Sequence, residues 1–201
     1  MCAACATTLV ELGPACPRCA EPTGAKAVVC RRCAHEPWPL ERIACPWRFG
    51  GELASAIRRL KFTGQSHIAR TIAPLWAPLV AAAAEPNALI VPVPLHWRRR
   101  LQRGYDHALL LARHACAAAR LDPPVAALRR IRAAPAQSTL PAAQRARNVE
   151  GAFATRGDVA GRAIVLIDDV VTTGSTLAAC ARALRAAGAV SVVGVALARA
   201  E

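Results

Sequence analysis

Two patterns of hydrophobic residues alternate along most of the chain. In the first, apolar residues recur every three or four positions with polar residues between them, as Leu53, Ile57 and Leu60 do, which predicts amphipathic helices. Segments of this kind lie at residues 52–62, 67–84, 105–120 and 175–187. Pro74 and Pro78 are expected to bend or split the second helix, because proline has no backbone N–H to donate.

The second pattern is a short, continuous apolar run, which is typical of a strand that is buried on both faces. Such runs lie at residues 87–94, 125–131, 163–168 and 191–197. Because the predicted strands alternate with helices, we expect a parallel sheet flanked by helices, with ligands beyond the carboxyl ends of the strands. Residues 97–103 are predicted to form a basic loop. Residues 132–148 are predicted to form a long functional or mobile loop.

Length and composition predict one ordinary domain with a small appendage. The 201 residues are 54% hydrophobic, but no apolar run has the length and lack of charge of a membrane span. The N-terminus also lacks the features of a secretory signal, so we expect a soluble, cytoplasmic protein. The net charge of +13 favours polyanionic partners such as nucleic acid or phosphorylated small molecules. An arginine-rich composition can equally reflect a G+C-rich genome.

Six of the nine cysteines occur in CxxC pairs, and each pair directs two thiolates towards one tetrahedral centre. In a cytosolic chain this pattern favours structural zinc over disulfides. The best single site consists of two pairs that are separated by a ten-residue loop: Cys16, Cys19, Cys30 and Cys33.

Cys2 and Cys5 form the remaining pair, which is half of a zinc site. The site is completed either by a further CxxC pair upstream, which is the favoured alternative, or by His35 and Cys45. Residues 1–45 are therefore predicted to be a cysteine-rich zinc module that does not fold without metal. Residues 46–201 are predicted to be the α/β domain.

The segment IVLIDDVVTTGST, residues 164–176, carries the strongest chemical signal. Asp168 and Asp169 are predicted at the carboxyl end of a strand, ahead of a turn rich in hydroxyl groups around Gly174 that opens the next helix. The start of a helix exposes unpaired N–H groups that bind phosphate. Carboxylates beside a phosphate need another partner, either sugar hydroxyls or Mg²⁺, so the segment predicts a ribose 5-phosphate site. The alternative is a helix cap with solvated aspartates.

This segment resembles the PRPP-binding signature of type I phosphoribosyltransferases. Other segments resemble the ComF family (competence protein F), and together they cover nearly the whole chain: the pairs CPRC and CRRC, LKFTG at residues 60–64, VPVPLHWRRRLQRGYDHALLLA at 91–112, and NVEGAF at 148–153. One departure is that the family usually has Arg-Gly-Phe-Asn-Gln where this chain has Arg-Gly-Tyr-Asp-His, with Asp106 and His107 as the altered polar residues.

The resemblance implies a five-stranded sheet of the type I phosphoribosyltransferase-like fold. It also implies that Asp168 and Asp169 hold the ribose hydroxyls of PRPP, with Mg²⁺. The residues implied to hold the 5-phosphate are Val171, Thr172, Thr173, Gly174, Ser175 and Thr176. Those expected to bind pyrophosphate or nucleic acid are Arg98, Arg99, Arg100, Arg103, Arg145 and Asn148.

Three functions remain open. The family resemblance implies a factor for DNA uptake or DNA utilisation that keeps a PRPP pocket, with single-stranded DNA on its arginine-rich surface near Trp97. The second function is an active phosphoribosyltransferase with an unidentified acceptor. Pro92 and Pro94 weigh against it, because pyrophosphate-binding loops favour free backbone N–H groups. The third is an adaptor whose zinc module recruits a partner from the DNA-translocation machinery.

Overall fold

A parallel β-sheet forms the centre of the fold. The computed structural model describes residues 6–132 and 151–200. The strands are β1 (Arg42–Ala44), β2 (Trp47–Arg48), β3 (Leu89–Pro92), β4 (Leu128–Arg130), β5 (Phe153–Thr155), β6 (Ala163–Val171) and β7 (Ser191–Arg199). In the described part of the chain the central sheet has five strands: β6 lies between β3 and β7, and β1 and β2 pair in succession with the outer edge of β7. All of these pairs are parallel, which confirms the predicted sheet.

Helices cover both faces of this sheet, as predicted. They are α1 (Arg31–His35), α2 (Gly51–Phe62), α3 (His67–Ala83), α4 (Trp97–Arg103), α5 (His107–Ala119) and α6 (Ser175–Ala186). Neighbouring residues of β6 serve different cores: Leu166 packs with Leu177 and Leu184 of α6, whereas Ile167 packs with α2, α3 and α5 around the fully buried Trp76. None of the helices in the described ranges is long and apolar enough to cross a membrane.

Helix α3 is one continuous helix, although Pro74 and Pro78 were expected to bend or split it. Both prolines are one turn apart on the exposed face of the helix. Each proline leaves the carbonyl of the residue four positions earlier without its helical partner. Because that face is in contact with solvent, water can bond to these carbonyls while the opposite face stays packed.

Residues 97–103, predicted to be a basic loop, instead form α4. The His96 side chain caps this helix by accepting a hydrogen bond from the Arg98 N–H at 3.3 Å, and Gly104 ends it with φ 78°. The prediction of β4 was also wrong in one respect. This strand pairs antiparallel with β5 in a separate two-stranded sheet, rather than in the parallel sheet.

The cysteine-rich segment is attached directly to the central sheet. Strand β1, which lies inside the predicted module of residues 1–45, pairs with Val193–Val195 of β7. The Arg199 side chain, at the end of β7, donates a hydrogen bond to the Cys19 carbonyl at 3.2 Å and forms an ion pair with Glu21. The division at residue 45 stays a prediction, but the cysteines and the end of the sheet are joined by these contacts.

Truncation of the α3 core should lower stability sharply. Trp76→Ala removes a side chain that is 0% exposed, and we expect the free energy of unfolding in urea to fall by about 3–5 kcal/mol. Leu75→Ala, on the same helix but 38% exposed, should cost under about 1 kcal/mol. Equal losses in the two variants would contradict the packing described for α3.

Candidate functional site

A cleft of about 150 Å³ lies at the carboxyl ends of β3 and β6. Its walls come from the end of α2, the segment after β3, the helices α4 and α5, strand β4 and the start of α6. All the residues that were predicted to hold the ribose and the 5-phosphate line it: Asp168, Asp169, Val171, Thr172, Thr173, Gly174, Ser175 and Thr176. The structure thus brings them together, while their roles remain predictions.

The two aspartates have opposite electrostatic surroundings. Asp169 is buried, forms an ion pair with Lys61, and has His107 Nε2 at 3.8 Å from its Oδ1. Burial alone would raise the pKa of Asp169, but Lys61 and His107 bring it well below its usual value. Burial and the neighbouring charge of Asp169 raise the pKa of Asp168 well above its usual value. Asp168 is therefore the carboxylate that gains most from a new cationic or hydrogen-bonding partner.

The turn of residues 172–176, called the hydroxyl turn below, leads from β6 into α6. Gly174 occupies its N-cap with φ 76°, a left-handed conformation that favours glycine. Thr173 Oγ1 accepts a hydrogen bond from the Ser175 N–H at 3.3 Å and lies 2.7 Å from Ser175 Oγ. Gly174 itself has no side chain that could cap the N–H groups after Ser175. The helix start therefore offers N–H groups and hydroxyls to an anion.

Four basic side chains line the cleft together with the two aspartates: Lys61, Arg99, Arg103 and Arg130. The pKa of Arg103 and that of Arg130 are lowered, first by burial and then by the positive charge of Arg99. Like charges are therefore crowded at this wall. An anion with several negative charges would relieve that repulsion and be attracted into the cleft.

Helix α4 divides its arginines between the cleft and the solvent. Arg99 and Arg103 are one turn apart and line the cleft, while their binding of pyrophosphate or nucleic acid stays a prediction. Arg98 and Arg100 are exposed on other faces of the helix, and the Arg98 guanidinium stacks on Trp97 at 5.3 Å from the ring centroid. The two other predicted residues, Arg145 and Asn148, lie outside the described residues.

Among the basic residues of the cleft, sequence reasoning missed Lys61, His107 and Arg130. Lys61 belongs to the LKFTG segment, which carried the family resemblance but had been assigned no role. The hydroxyl of Tyr105 donates to the Leu60 carbonyl and so joins the α4–α5 corner to the residue before Lys61. Arg130 had no signal, because β4 pairs with β5, more than twenty residues later in the chain, and a local sequence pattern does not predict such a pairing.

The two departures from the family's usual residues have clear structural consequences. Asp106 caps α5 by accepting from the Ala108 and Leu109 N–H groups, and its second oxygen accepts from the Leu95 N–H at 3.1 Å. An asparagine could cap α5 through its single oxygen, but its NH2 group could not accept from the Leu95 N–H, so the aspartate adds a bond to the segment after β3. His107 places a titratable ring between Asp169 and Arg103, whose Nη1 lies 3.2 Å from His107 Nδ1.

A second candidate site is the cluster of Cys16, Cys19, Cys30 and Cys33, whose sulfurs lie within 4.8 Å of one another and can hold a metal ion. The Cys19 and Cys30 sulfurs are 3.6 Å apart. A tetrahedral zinc site with Zn–S bonds of about 2.3 Å requires sulfurs about 3.8 Å apart, so the donor set fits that ion. Burial acts to raise the pKa of Cys16, but backbone N–H groups bring it to about 6, which favours a thiolate ligand.

The proposed second metal site cannot be followed in the structure, because Cys2 and Cys5 lie outside the described residues. Cys45 packs against the core, where burial raises its pKa to about 12. Cys116 and Cys180 are buried, and burial likewise raises the pKa of each thiol. These last two are core residues, Cys180 on the α6 side of the sheet and Cys116 on the side of α2, α3 and α5.

Comparison with known proteins gives a consistent assignment. The family model described as "Phosphoribosyl transferase domain" matches residues 108–200, which include the hydroxyl turn and both aspartates. The chain is 34% identical over 197 residues to the "DNA utilization protein YhgH" of Salmonella typhi, covering 96% of this chain and 87% of that protein. It is 29% identical to the "Competence protein F" of Haemophilus influenzae, covering 100% and 90%. It is also 29% identical to the "Competence protein ComFC" of Bacillus subtilis, covering 92% and 77%.

Replacing each aspartate by asparagine should change the free energy of unfolding differently, because the two carboxylates have different surroundings. Asp169→Asn leaves the partly buried Lys61 without its partner. We expect it to lower the free energy of unfolding at pH 7 by about 1–3 kcal/mol, less than for a fully enclosed ion pair. Asp168→Asn removes a carboxylate whose ionised form is unfavourable at pH 7, because its pKa is raised on folding. Stability should then be unchanged or higher.

The pH dependence follows from the same shifts. A lowered pKa in the folded state makes Asp169 stabilising above its unfolded pKa of about 4, and this contribution is lost as the pH falls further. Urea denaturation at a series of pH values should therefore show the deficit of Asp169→Asn shrinking in acid. A similar deficit in Asp168→Asn at pH 7 would contradict the assignment.

Proposed function

The chain belongs to the ComF family, and on this premise we propose that its cleft binds the ribose 5-phosphate portion of PRPP or of a related ribose phosphate, in a protein that acts in DNA uptake or DNA utilisation. The names of the relatives supply the DNA-related role. The observation that supports the cleft assignment is the convergence of both aspartates, the hydroxyl turn and four basic side chains around one cavity.

Each part of a ribose phosphate has a suitable partner in this cavity. The 5-phosphate would bind at the hydroxyl turn, where the backbone N–H groups of a helix start are combined with Thr and Ser hydroxyls. The sugar hydroxyls would bind Asp168, because Asp169 is already engaged with Lys61. Mg²⁺ would accompany PRPP by neutralising its pyrophosphate, and carboxylate oxygen is a ligand that Mg²⁺ prefers.

The pyrophosphate would be held by arginine side chains rather than by the backbone after β3. In that segment Pro92 and Pro94 have no N–H, Val93 donates to the Ile167 carbonyl at 2.9 Å, and Leu95 donates to Asp106. Residues 92–95 thus offer pyrophosphate no unbonded backbone N–H, which extends the objection raised by the two prolines to all four positions. Arg99 and Arg103 are two basic residues that line the cleft.

An active phosphoribosyltransferase is the alternative, and the charge distribution is the observation in its favour. Departure of pyrophosphate from C1 leaves positive charge on the sugar and negative charge on the leaving group. Asp168 would stabilise the first charge, and Arg99 with Arg103 would neutralise the second. At residues 92–95 the backbone N–H groups are absent or already bonded, which favours ligand binding over efficient transfer. We therefore place this activity second.

The four-cysteine cluster is proposed to hold structural Zn²⁺. The fit of the sulfur distances supports that ion. Single-stranded DNA is proposed to contact the outer surface of α4, where Trp97 is 57% exposed beside Arg98 and Arg100. Exposed aromatic rings among arginines are the usual elements of single-strand binding. Recruitment of a DNA-translocation partner stays a prediction.

Calorimetric titration with ribose 5-phosphate, and with PRPP and Mg²⁺, tests the cleft. The double variant Asp168→Asn with Asp169→Asn should abolish measurable binding of PRPP. Arg98→Ala with Arg100→Ala changes two exposed arginines of the adjoining helix and should leave both affinities within about twofold. Binding that survives in the aspartate variant, or no binding by the wild-type protein, would refute the proposed ligand.

The DNA surface is tested by fluorescence anisotropy with a labelled single-stranded oligonucleotide at several salt concentrations. Arg98→Ala with Arg100→Ala should weaken binding and reduce the slope of log K against log salt by about 0.7 for each phosphate that the variant no longer neutralises. Arg70→Ala with Arg113→Ala removes the same charge from exposed positions of α3 and α5 and serves as the control. If both pairs weaken binding equally, net charge rather than the α4 surface is responsible.

A further inference from the structure

Arg32 connects the four-cysteine cluster to the hydroxyl turn. It belongs to α1 and lies between two ligand cysteines, Cys30 and Cys33. Its Nη1 donates a hydrogen bond of 2.8 Å to the Thr173 carbonyl, across 141 positions of sequence. A charged donor of this kind fixes the orientation of the carbonyl that it contacts, and so of the N–H groups that follow it in the turn.

The Trp38 ring lies next to Gly174 of the same turn. The Arg32 guanidinium stacks on its ring at 5.1 Å from the centroid. A Cβ placed on Gly174 would meet Trp38 Cζ2 and Cη2 at 3.1–3.2 Å and Ile43 Cδ1 at 3.2 Å. The indole packs against the cysteine cluster as well as against the main core. The turn is therefore in close contact with two residues whose own positions depend on the cysteine cluster.

The cluster is in turn fastened to the chain around it. Arg18, between Cys16 and Cys19, donates to the Cys33 carbonyl at 2.7 Å. Its own carbonyl accepts from the Ile43 N–H at 2.8 Å. When a metal holds the two CxxC pairs together, α1 and β1 are held in one arrangement relative to each other. Loss of the metal releases α1 and with it Arg32.

We propose that the cysteine module braces the hydroxyl turn through Arg32 and Trp38, so that the affinity of the cleft for a ribose phosphate depends on whether the cysteine cluster holds its metal. The two residues are positioning residues, since neither lines the cleft. The inference rests on the proposed ligand of the cleft. It assigns the cysteine module a role in small-molecule binding, in addition to folding.

The first experiment compares Arg32→Ala with Arg31→Ala in zinc-loaded protein. Arg31 is the exposed neighbour on α1, so both variants lose one charge at the same place. Arg32→Ala should weaken ribose 5-phosphate binding about tenfold, as expected for the removal of a charge-assisted hydrogen bond, with Arg31→Ala within about twofold. Metal content is measured in each sample, and Arg32→Lys, which keeps a cationic donor, should restore part of the affinity.

The second readout does not require a ligand. Hydrogen–deuterium exchange of peptides covering residues 171–177 should be faster in Arg32→Ala and in Trp38→Ala than in Arg31→Ala, while peptides from α3 remain protected. If wild-type protein fails to bind ribose phosphate, the proposed function is refuted, but exchange still tests the brace. If Arg32→Ala retains its metal and changes neither binding nor exchange, the brace is refuted.

Removal of the metal gives the decisive comparison. Treatment of wild-type protein with a zinc chelator should reduce affinity and speed exchange in the hydroxyl turn, and added Zn²⁺ should reverse both effects. The same treatment of Arg32→Ala should add little, because the two changes break one connection. Full additivity of the two effects would refute the coupling. If circular dichroism shows that chelation unfolds the α/β domain, the zinc-loaded comparison of Arg32→Ala with Arg31→Ala decides.

Discussion

The parallel pairing of β6 with both β3 and β7 is the constraint on which the rest of the structure depends. Parallel strands end at the same edge of a sheet, so this pairing brings together segments that are distant in the sequence. The register sets Pro92 opposite Ile167, one residue before Asp168, and Arg199 opposite Val171. The segment after β3, the aspartates and the attachment of the cysteine module consequently meet at one edge. Without this register the cleft would lose two of its walls.

Different charged neighbours then give two adjacent carboxylates different properties. Asp169 forms an ion pair with Lys61 and lies beside His107, so it acts as a structural counter-ion for the end of α2. Asp168 bears the cost of lying next to that fixed charge, and a ligand that donates hydrogen bonds to it would relieve this cost. Stored electrostatic strain of this kind is common where a protein binds a ligand rather than where it only packs.

Local patterns predicted the fold well where one residue type decides the outcome. The continuous apolar run before Asp168 identified β6, and the glycine and hydroxyls after it identified the turn. Patterns failed where the deciding contact is long-range. The α4 helix depends on its His96 cap, which propensity rules did not suggest, and β4 reaches the cleft only through pairing with β5. Lys61 carries no local sign that its partner lies more than a hundred residues away.

The hydrogen bonds that the backbone N–H groups after β3 already make also have a consequence for selectivity. An anion held by backbone amides meets donors at fixed points, and only a ligand of matching shape satisfies them all. Here the N–H groups of Val93 and Leu95 already donate hydrogen bonds within the protein. Negatively charged groups of a ligand would therefore be bound by the long arginine side chains of α4, a helix of seven residues. Such long side chains can change conformation to suit ligands of different shapes. If the cleft binds the proposed ribose phosphate, it should therefore discriminate strictly at the aspartates and the hydroxyl turn and loosely at the arginines, where diphosphates and longer phosphorylated chains become nearly interchangeable.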